Sequence, residues 1–178
     1  MSVAIAVLAL ICQPWMDQLS WNRALIIQGQ WWRLFTGVLV HADLLHYTMN
    51  MAALTVITIL FAQRYSATEW LLLIILLIGL ANSVLLFDSS LNDYVGLSGV
   101  LHGLVVFCAL RQFRDLKWES GAILIAVSCK LILEYFHPNG LGDQHFIHMP
   151  VATSVHRTFA IIAISLYLGQ KLWDRNKC

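Results

Sequence analysis

The run WLLLIILLIGLANSVLLF, from Trp70 to Phe87, holds 18 positions without a charged residue. As an α-helix rising 1.5 Å per residue it reaches about 27 Å, close to the roughly 30 Å of a bilayer's hydrocarbon core. The surrounding chain has the same character. Of its 178 residues, 59% are hydrophobic and 12% charged, and mean hydropathy is +0.71. A soluble domain carries about 25% charge, so this chain lacks the polar surface to cover a water-soluble globule. It is also too apolar to be disordered. A polytopic, all-α membrane protein is the class that remains, read as a single domain over residues 1–178. The net charge of +1 gives no electrostatic case for nucleic acid. Cys12, Cys108, Cys129 and Cys178 are scattered without metal or disulfide spacing.

The same ruler marks six spans: Ser2–Trp15, Leu44–Phe61, Trp70–Phe87, Leu97–Leu110, Gly121–Phe136 and Pro150–Leu168. The first is short, ends near Pro14, and lacks the basic start and small-residue site of a signal peptide. The long connection Met16–Asp43, with Trp21, Trp31 and Trp32 and preceded by Trp15, is expected in the headgroup region, where tryptophan is enriched. No internal repeat or low-complexity segment is evident. Arg64, Arg111, Arg114, Lys117, Lys171, Arg175 and Lys177 fall on one side, against Arg23 and Arg33 on the other. The positive-inside rule then places both termini in the cytoplasm. In a Gram-negative cell this is the inner membrane, with the opposite face periplasmic.

Polar residues inside a bilayer are costly and are functional candidates by default. Asn50 and His156 lie six residues, about 9 Å, inside the outer ends of their spans, with His46 one turn above Asn50; span four, about 21 Å long and pinned at its cytoplasmic end by Arg111 and Arg114, brings Ser98 to the same depth. A hydroxyl, an imidazole and polar donors at one level are the parts of acyl transfer. Gly96-Leu97-Ser98-Gly99-Val100-Leu101-His102-Gly103 reads GxSGxxxG. Gly99 and Gly103 form a small face for close helix packing, and Ala152 and Ala160 flank His156 in the same way. Val100 excludes the GxSxG elbow of α/β-hydrolases. The motif alone fits equally well a serine that only caps its helix. His46 and Asn50 share a helical face and, with His41, form either a donor set or a polar packing network. Trp32 and Arg33 are expected to anchor the long loop, Arg33 meeting lipid phosphate or loop carbonyls.

Taken together, Trp32-Arg33, His41-x4-His46-x3-Asn50, Gly96-x-Ser98-Gly99-x3-Gly103 and His156 resemble the rhomboid intramembrane serine proteases, in order, from about Trp31 to Ala160. The small size, the stretch around Ser98 and the Lys130/Glu134 pair are most similar to the rhombosortase branch. The resemblance implies a Ser98/His156 dyad and an oxyanion site of His46, Asn50 and the Ser98 backbone N–H. It also implies action on transmembrane C-terminal anchors of exported proteins, tails with a Gly-Gly motif, one apolar span and a basic end. One departure stands out: Arg157, Thr158 and Phe159 follow His156 where rhomboids usually place small residues and glycine.

The remaining polar residues suggest quieter roles. His102, a turn below Ser98, reads as packing or hydrogen bonding. Lys130 and Glu134, i and i+4 in one span, are expected to neutralise one another, with gating or substrate contact as the alternative. Arg157 is expected to reach Glu134 or the outer interface. No acidic third member for the dyad is visible. His137, His145 and His148, with Asp143, occupy an outer loop without an HExxH helix, so neither a metal nor a cofactor is implied. Two rival classes are a noncatalytic rhomboid-like protein that binds transmembrane helices, and a small transporter relaying through Lys130, Glu134 and His156. The intact Ser98 and His156 oppose the first; the lack of repeat symmetry weakens the second.

Overall fold

The computed structural model describes residues 2–137 and 152–177. They form helices α1 (Ser2–Cys12), α2 (Met16–Leu19), α3 (Arg23–Ile27), α4 (Arg33–Thr36), α5 (Leu44–Phe61), α6 (Ala67–Leu85), α7 (Ser98–Gln112), α8 (Lys117–Phe136) and α9 (Thr153–Arg175). A two-residue antiparallel pairing joins β1 (Trp21–Asn22) to β2 (Asp93–Tyr94). Among the described residues, Ser2–Leu19, Leu44–Arg64 and Ala67–Leu85 are long and apolar enough to cross a membrane, and α7 is apolar but shorter. Helices α8 and α9 have the length, 20 and 23 residues, but carry charged side chains along it.

Several boundaries differ from expectation for local reasons. Pro14 does not end the first segment. It sits in the first turn of a 3₁₀ stretch, Gln13–Trp15, where its missing N–H costs nothing, and the helical path continues to Leu19. Ser66 and Glu69 form a capping box that starts α6 three residues before Trp70. Asp43 accepts from the His46 N–H at 2.7 Å and so fixes the start of α5 at Leu44. Helix α8 begins at Lys117, a turn before Gly121. Pro150, Asp143, His145 and His148 lie outside the described residues.

Helix α7 is the hub. Leu104, Cys108 and Ala109 are fully buried on it, and its most extensive packing is against α9. A Cβ on Gly99 would lie 2.8 Å from both Phe159 Cδ2 and Val155 Cγ1. One on Gly103 would lie 2.9 Å from Leu77 Cδ2 and 3.3 Å from the Phe159 carbonyl oxygen. The two glycines therefore set the closeness of α7 to α9. The large side chain after His156 is accommodated because Phe159 fills the space that Gly99 leaves open.

The loop between α1 and α5 is folded onto one end of the bundle. Trp15, Trp31 and Trp32 stay exposed, as interfacial tryptophans do. Trp21 is a correction: it is fully buried, tilted on Tyr94 at 5.4 Å, with its backbone against Gly37, where a Cβ would meet Trp21 N at 2.6 Å. The β1–β2 pairing, Arg23 N–H to Asn92 O (2.9 Å) and Gly96 N–H to Gly37 O (3.1 Å) stitch this loop to the segment before Ser98. Asn82 of α6 donates to Leu34 O and accepts from Tyr94 OH, tying both to the bundle. At the opposite end, Arg64–Asp115 (3.1 Å) and Arg111–Glu69 (3.6 Å) are exposed pairs, a kind that contributes little to stability.

Candidate active site

Ser98 is the first residue of α7, so its backbone N–H has no intrahelical acceptor. Gly96 precedes it with φ 110°, a left-handed turn that brings the chain into the helix from the loop side. His156 lies in the first turn of α9. The close α7–α9 packing puts Ser98 Oγ 2.8 Å from His156 Nε2. His156 is buried and Ser98 half-buried.

The second imidazole nitrogen finds a partner that sequence reasoning did not supply. His156 Nδ1 lies 2.9 Å from Glu134 Oε2 and 3.1 Å from Oε1. An ionised carboxylate only accepts, so Nδ1 carries the hydrogen and the Nε2 lone pair is left for the Ser98 hydroxyl to donate into. The expectation that the serine and histidine lack an acidic neighbour is thus corrected. Glu134 also pairs with Lys130, one turn back on α8. Arg157 does not reach Glu134: it donates to Thr153 Oγ1 at 3.3 Å and stands over the Tyr135 ring at 5.4 Å. Sequence arithmetic hid the contact. Glu134 is two residues from the outer end of its span, about 3 Å, against about 9 Å for His156. Its i,i+4 lysine made it look self-contained.

His102 stacks on His156, centroids 4.2 Å apart and planes 17° from parallel. Its Nδ1 donates to the Ser98 carbonyl at 2.7 Å and not to the hydroxyl. It therefore braces the imidazole and the first turn of α7 and is not placed to take the Ser98 proton. His102, Glu134 and His156 offer ligand atoms within 4.8 Å of one another, a set that a metal ion would also fit. In the described geometry, however, both nitrogens of His156 and the Glu134 carboxylate are engaged in the contacts above.

His46 packs against Gly96, two residues before Ser98. A Cβ on Gly96 would come 2.6 Å from its Nε2 and 2.5 Å from its Cε1, so only glycine leaves room for this ring. Its Nδ1 accepts from the Ala42 N–H at 3.5 Å, the outer limit for a hydrogen bond, which leaves Nε2 as the N–H. Asn50, buried one turn on, donates from Nδ2 to the His46 carbonyl at 2.8 Å and keeps a second N–H. His41 packs edge-on against His46 (5.1 Å) and Tyr47 (5.5 Å). The Gln13 amide grips it, donating to His41 Nδ1 and accepting from its backbone N–H, each at 3.2 Å. Burial, and secondarily the nearby His46, holds the His41 pKa down to about 4, so the ring stays neutral. Arg33, 4% exposed, donates to the carbonyls of Asp17 (2.9 Å) and Ser20 (2.8 Å) and to Gln30 Oε1 (2.7 Å). Its partners are loop groups. Trp32 donates to Gln18 O at 3.1 Å.

A serine at a helix start, bonded to an imidazole whose other nitrogen meets a carboxylate, is set in an apolar helical bundle, an arrangement chemically suited to nucleophilic acyl transfer. Residues 28–156 match the Rhomboid domain, more than half of the chain, and the chain belongs to the rhomboid family. It is similar to the Rhomboid protease GluP of Bacillus subtilis (strain 168), 34% identical over 109 residues, an overlap of 60% of this chain and 21% of that protein. The overlap thus amounts to about a fifth of that relative's length.

Proposed function

We propose that this protein is an intramembrane serine endopeptidase working through Ser98 and His156. The observation that carries the reading is the 2.8 Å contact between Ser98 Oγ and His156 Nε2, with the other imidazole nitrogen tied to a carboxylate. As Ser98 Oγ bonds to the scissile carbonyl carbon, its proton passes to His156 Nε2. The oxyanion is met by the Ser98 N–H, His46 Nε2–H and the free N–H of Asn50. Collapse breaks the C–N bond, and His156 returns the proton to the leaving amine. Water, deprotonated by the same imidazole, then hydrolyses the acyl-serine.

The topology belongs to the same proposal. Helices α7, α8 and α9 cross the membrane along with the three clearer spans, and the basic end of the bundle lies in the cytoplasm. Ser98 then opens toward the outer, periplasmic face of an inner membrane. The scissile bond lies near the outer end of a substrate's transmembrane helix, which must unwind to expose it. Each glycine lowers the cost of unwinding by about 1 kcal/mol relative to alanine. As in the rhombosortases that this sequence resembles, the substrates are exported proteins whose C-terminal anchor carries a Gly-Gly motif, an apolar span and a basic end.

A serine-reactive fluorophosphonate should label the wild type and not Ser98→Ala. Coexpressed with a reporter bearing such a tail, the wild type should release the exported part, with cleavage near the glycines by mass spectrometry. Equal labelling of Ser98→Ala, or no release by the wild type, refutes the protease reading. Release unaffected by replacing both glycines with leucine refutes only the substrate.

A further inference from the structure

Rhomboid-type catalysis as outlined needs only Ser98 and His156, yet α8 brings a carboxylate to the far side of the imidazole. Glu134 and His156 are shielded, with side chains 12% and 5% exposed, and the Nδ1–H is shared between the two carboxylate oxygens at 2.9 and 3.1 Å. Lys130, half exposed, pairs with the same carboxylate. We infer that Glu134 is a positioning residue for the reaction, making the pair a Ser98–His156–Glu134 triad, and that Lys130 tunes it. The inference rests on the protease reading above and extends it.

Three consequences follow from charge and geometry. First, the carboxylate holds the hydrogen on Nδ1. Without it the imidazole has equal reason to carry its hydrogen on Nε2, where it cannot accept from Ser98. Second, as Nε2 takes the Ser98 proton, the ring becomes an imidazolium facing a fixed anion, so the charge is stabilised when it forms and not before. Third, the Lys130 ammonium offsets part of that anion from one turn back on α8.

The other groups facing His156 do not supply this anion. Helix α7 contributes His102, which donates to the Ser98 carbonyl, and α5 contributes His46; an imidazole carries no negative charge in either case. The one ionisable residue of α6, Glu69, begins that helix at the opposite end of the bundle. On α9 itself, Arg157 is engaged with Thr153 and the Tyr135 ring.

The test compares full-length wild type, Ser98→Ala, Glu134→Gln and Lys130→Met in detergent, cleaving a tailed reporter across pH. Glu134→Gln keeps the side-chain volume and removes the charge. Its kcat should fall about 10²-fold with KM little changed, less than the 10⁴ seen when a trypsin-like triad loses its acid, because His102 still braces the ring. The acid limb of kcat/KM reports deprotonation of His156 in the free enzyme. It should move to lower pH in Glu134→Gln and to higher pH in Lys130→Met. A purely structural ion pair would alter thermal unfolding and leave the limb in place. Unchanged kcat and an unmoved limb in Glu134→Gln, beside a dead Ser98→Ala, overturn the triad and leave the protease standing. Wild type no faster than Ser98→Ala removes both. If Glu134→Gln does not fold, the limb of Lys130→Met decides: displacement to higher pH supports the triad, and no displacement overturns it.

Discussion

Substituting Gly99 by alanine tests how the bundle sets the reaction geometry. The added Cβ would sit 2.8 Å from Phe159 Cδ2 and Val155 Cγ1 and 3.0 Å from Phe159 Cε2. Carbon atoms prefer about 3.5–4.0 Å, so α7 and α9 must separate by roughly 0.7 Å unless the side chains yield. Gly99 adjoins Ser98 and Val155 adjoins His156, so the gap opens at the reacting pair. Added to the 2.8 Å between Oγ and Nε2, it gives about 3.5 Å, beyond a normal O–H···N bond. A misplacement near 1 Å costs about 10²-fold in rate, and overpacking costs about 1–3 kcal/mol of stability. Gly99→Ala should therefore cleave the tailed reporter 10- to 10²-fold more slowly. Gly169→Ala is the control: a Cβ there meets nothing within 4 Å, so activity should be unchanged. Turnover by Gly99→Ala within twofold of wild type, in protein shown folded by thermal unfolding, would refute the link between this contact and the dyad.

Ser98→Ala and His156→Ala should each abolish cleavage, and the double variant should be little worse than either, because the two act as a unit; additive losses in turnover assays would contradict that. His46→Ala and Asn50→Ala should each slow single-turnover cleavage on the order of 10²–10³-fold while sparing insertion; wild-type rates in both and in the pair would remove them from the site. Thermal unfolding against pH tests His41. Its folded pKa of about 4 lies below the ordinary 6.5, so the unfolded chain binds the proton first. Stability should be full above pH 6.5 and fall as pH drops toward 4, by up to about 3 kcal/mol from this group, and His41→Gln should flatten that slope. EDTA should leave reporter cleavage unchanged, whereas a loss restored by zinc would make His102, Glu134 and His156 a metal site.

Much of the site is legible along the chain because helical spacing and depth are one-dimensional quantities. Gly96, Ser98, Gly99 and Gly103 fall within one short stretch, and counting inward from span ends brings Ser98, Asn50 and His156 to one level. Contacts sideways between helices leave no such trace. Glu134 looked satisfied by Lys130 because an i,i+4 partner is visible in sequence and a partner 22 residues away is not. Trp21 shared its composition signal with Trp31 and Trp32, yet the bare backbone of Gly37 is what lets it sink into the core. Pro14 read as a helix end because its position within a helical turn, harmless at the start and disruptive inside, depends on the turn that follows it.

The grip of Gln13 on His41 has a practical side. Gln13 follows directly on α1, His41 leans on His46, and His46 packs against Gly96, two residues before Ser98. A deletion ending before Met16 would keep every side chain assigned to bond breaking and still remove the support behind one of them. An epitope tag or fusion partner that pulls on the first helix acts on the same support. Activity measured on trimmed or N-terminally tagged protein would thus report on an altered site, whereas a tag placed after the last helix leaves this chain of contacts alone.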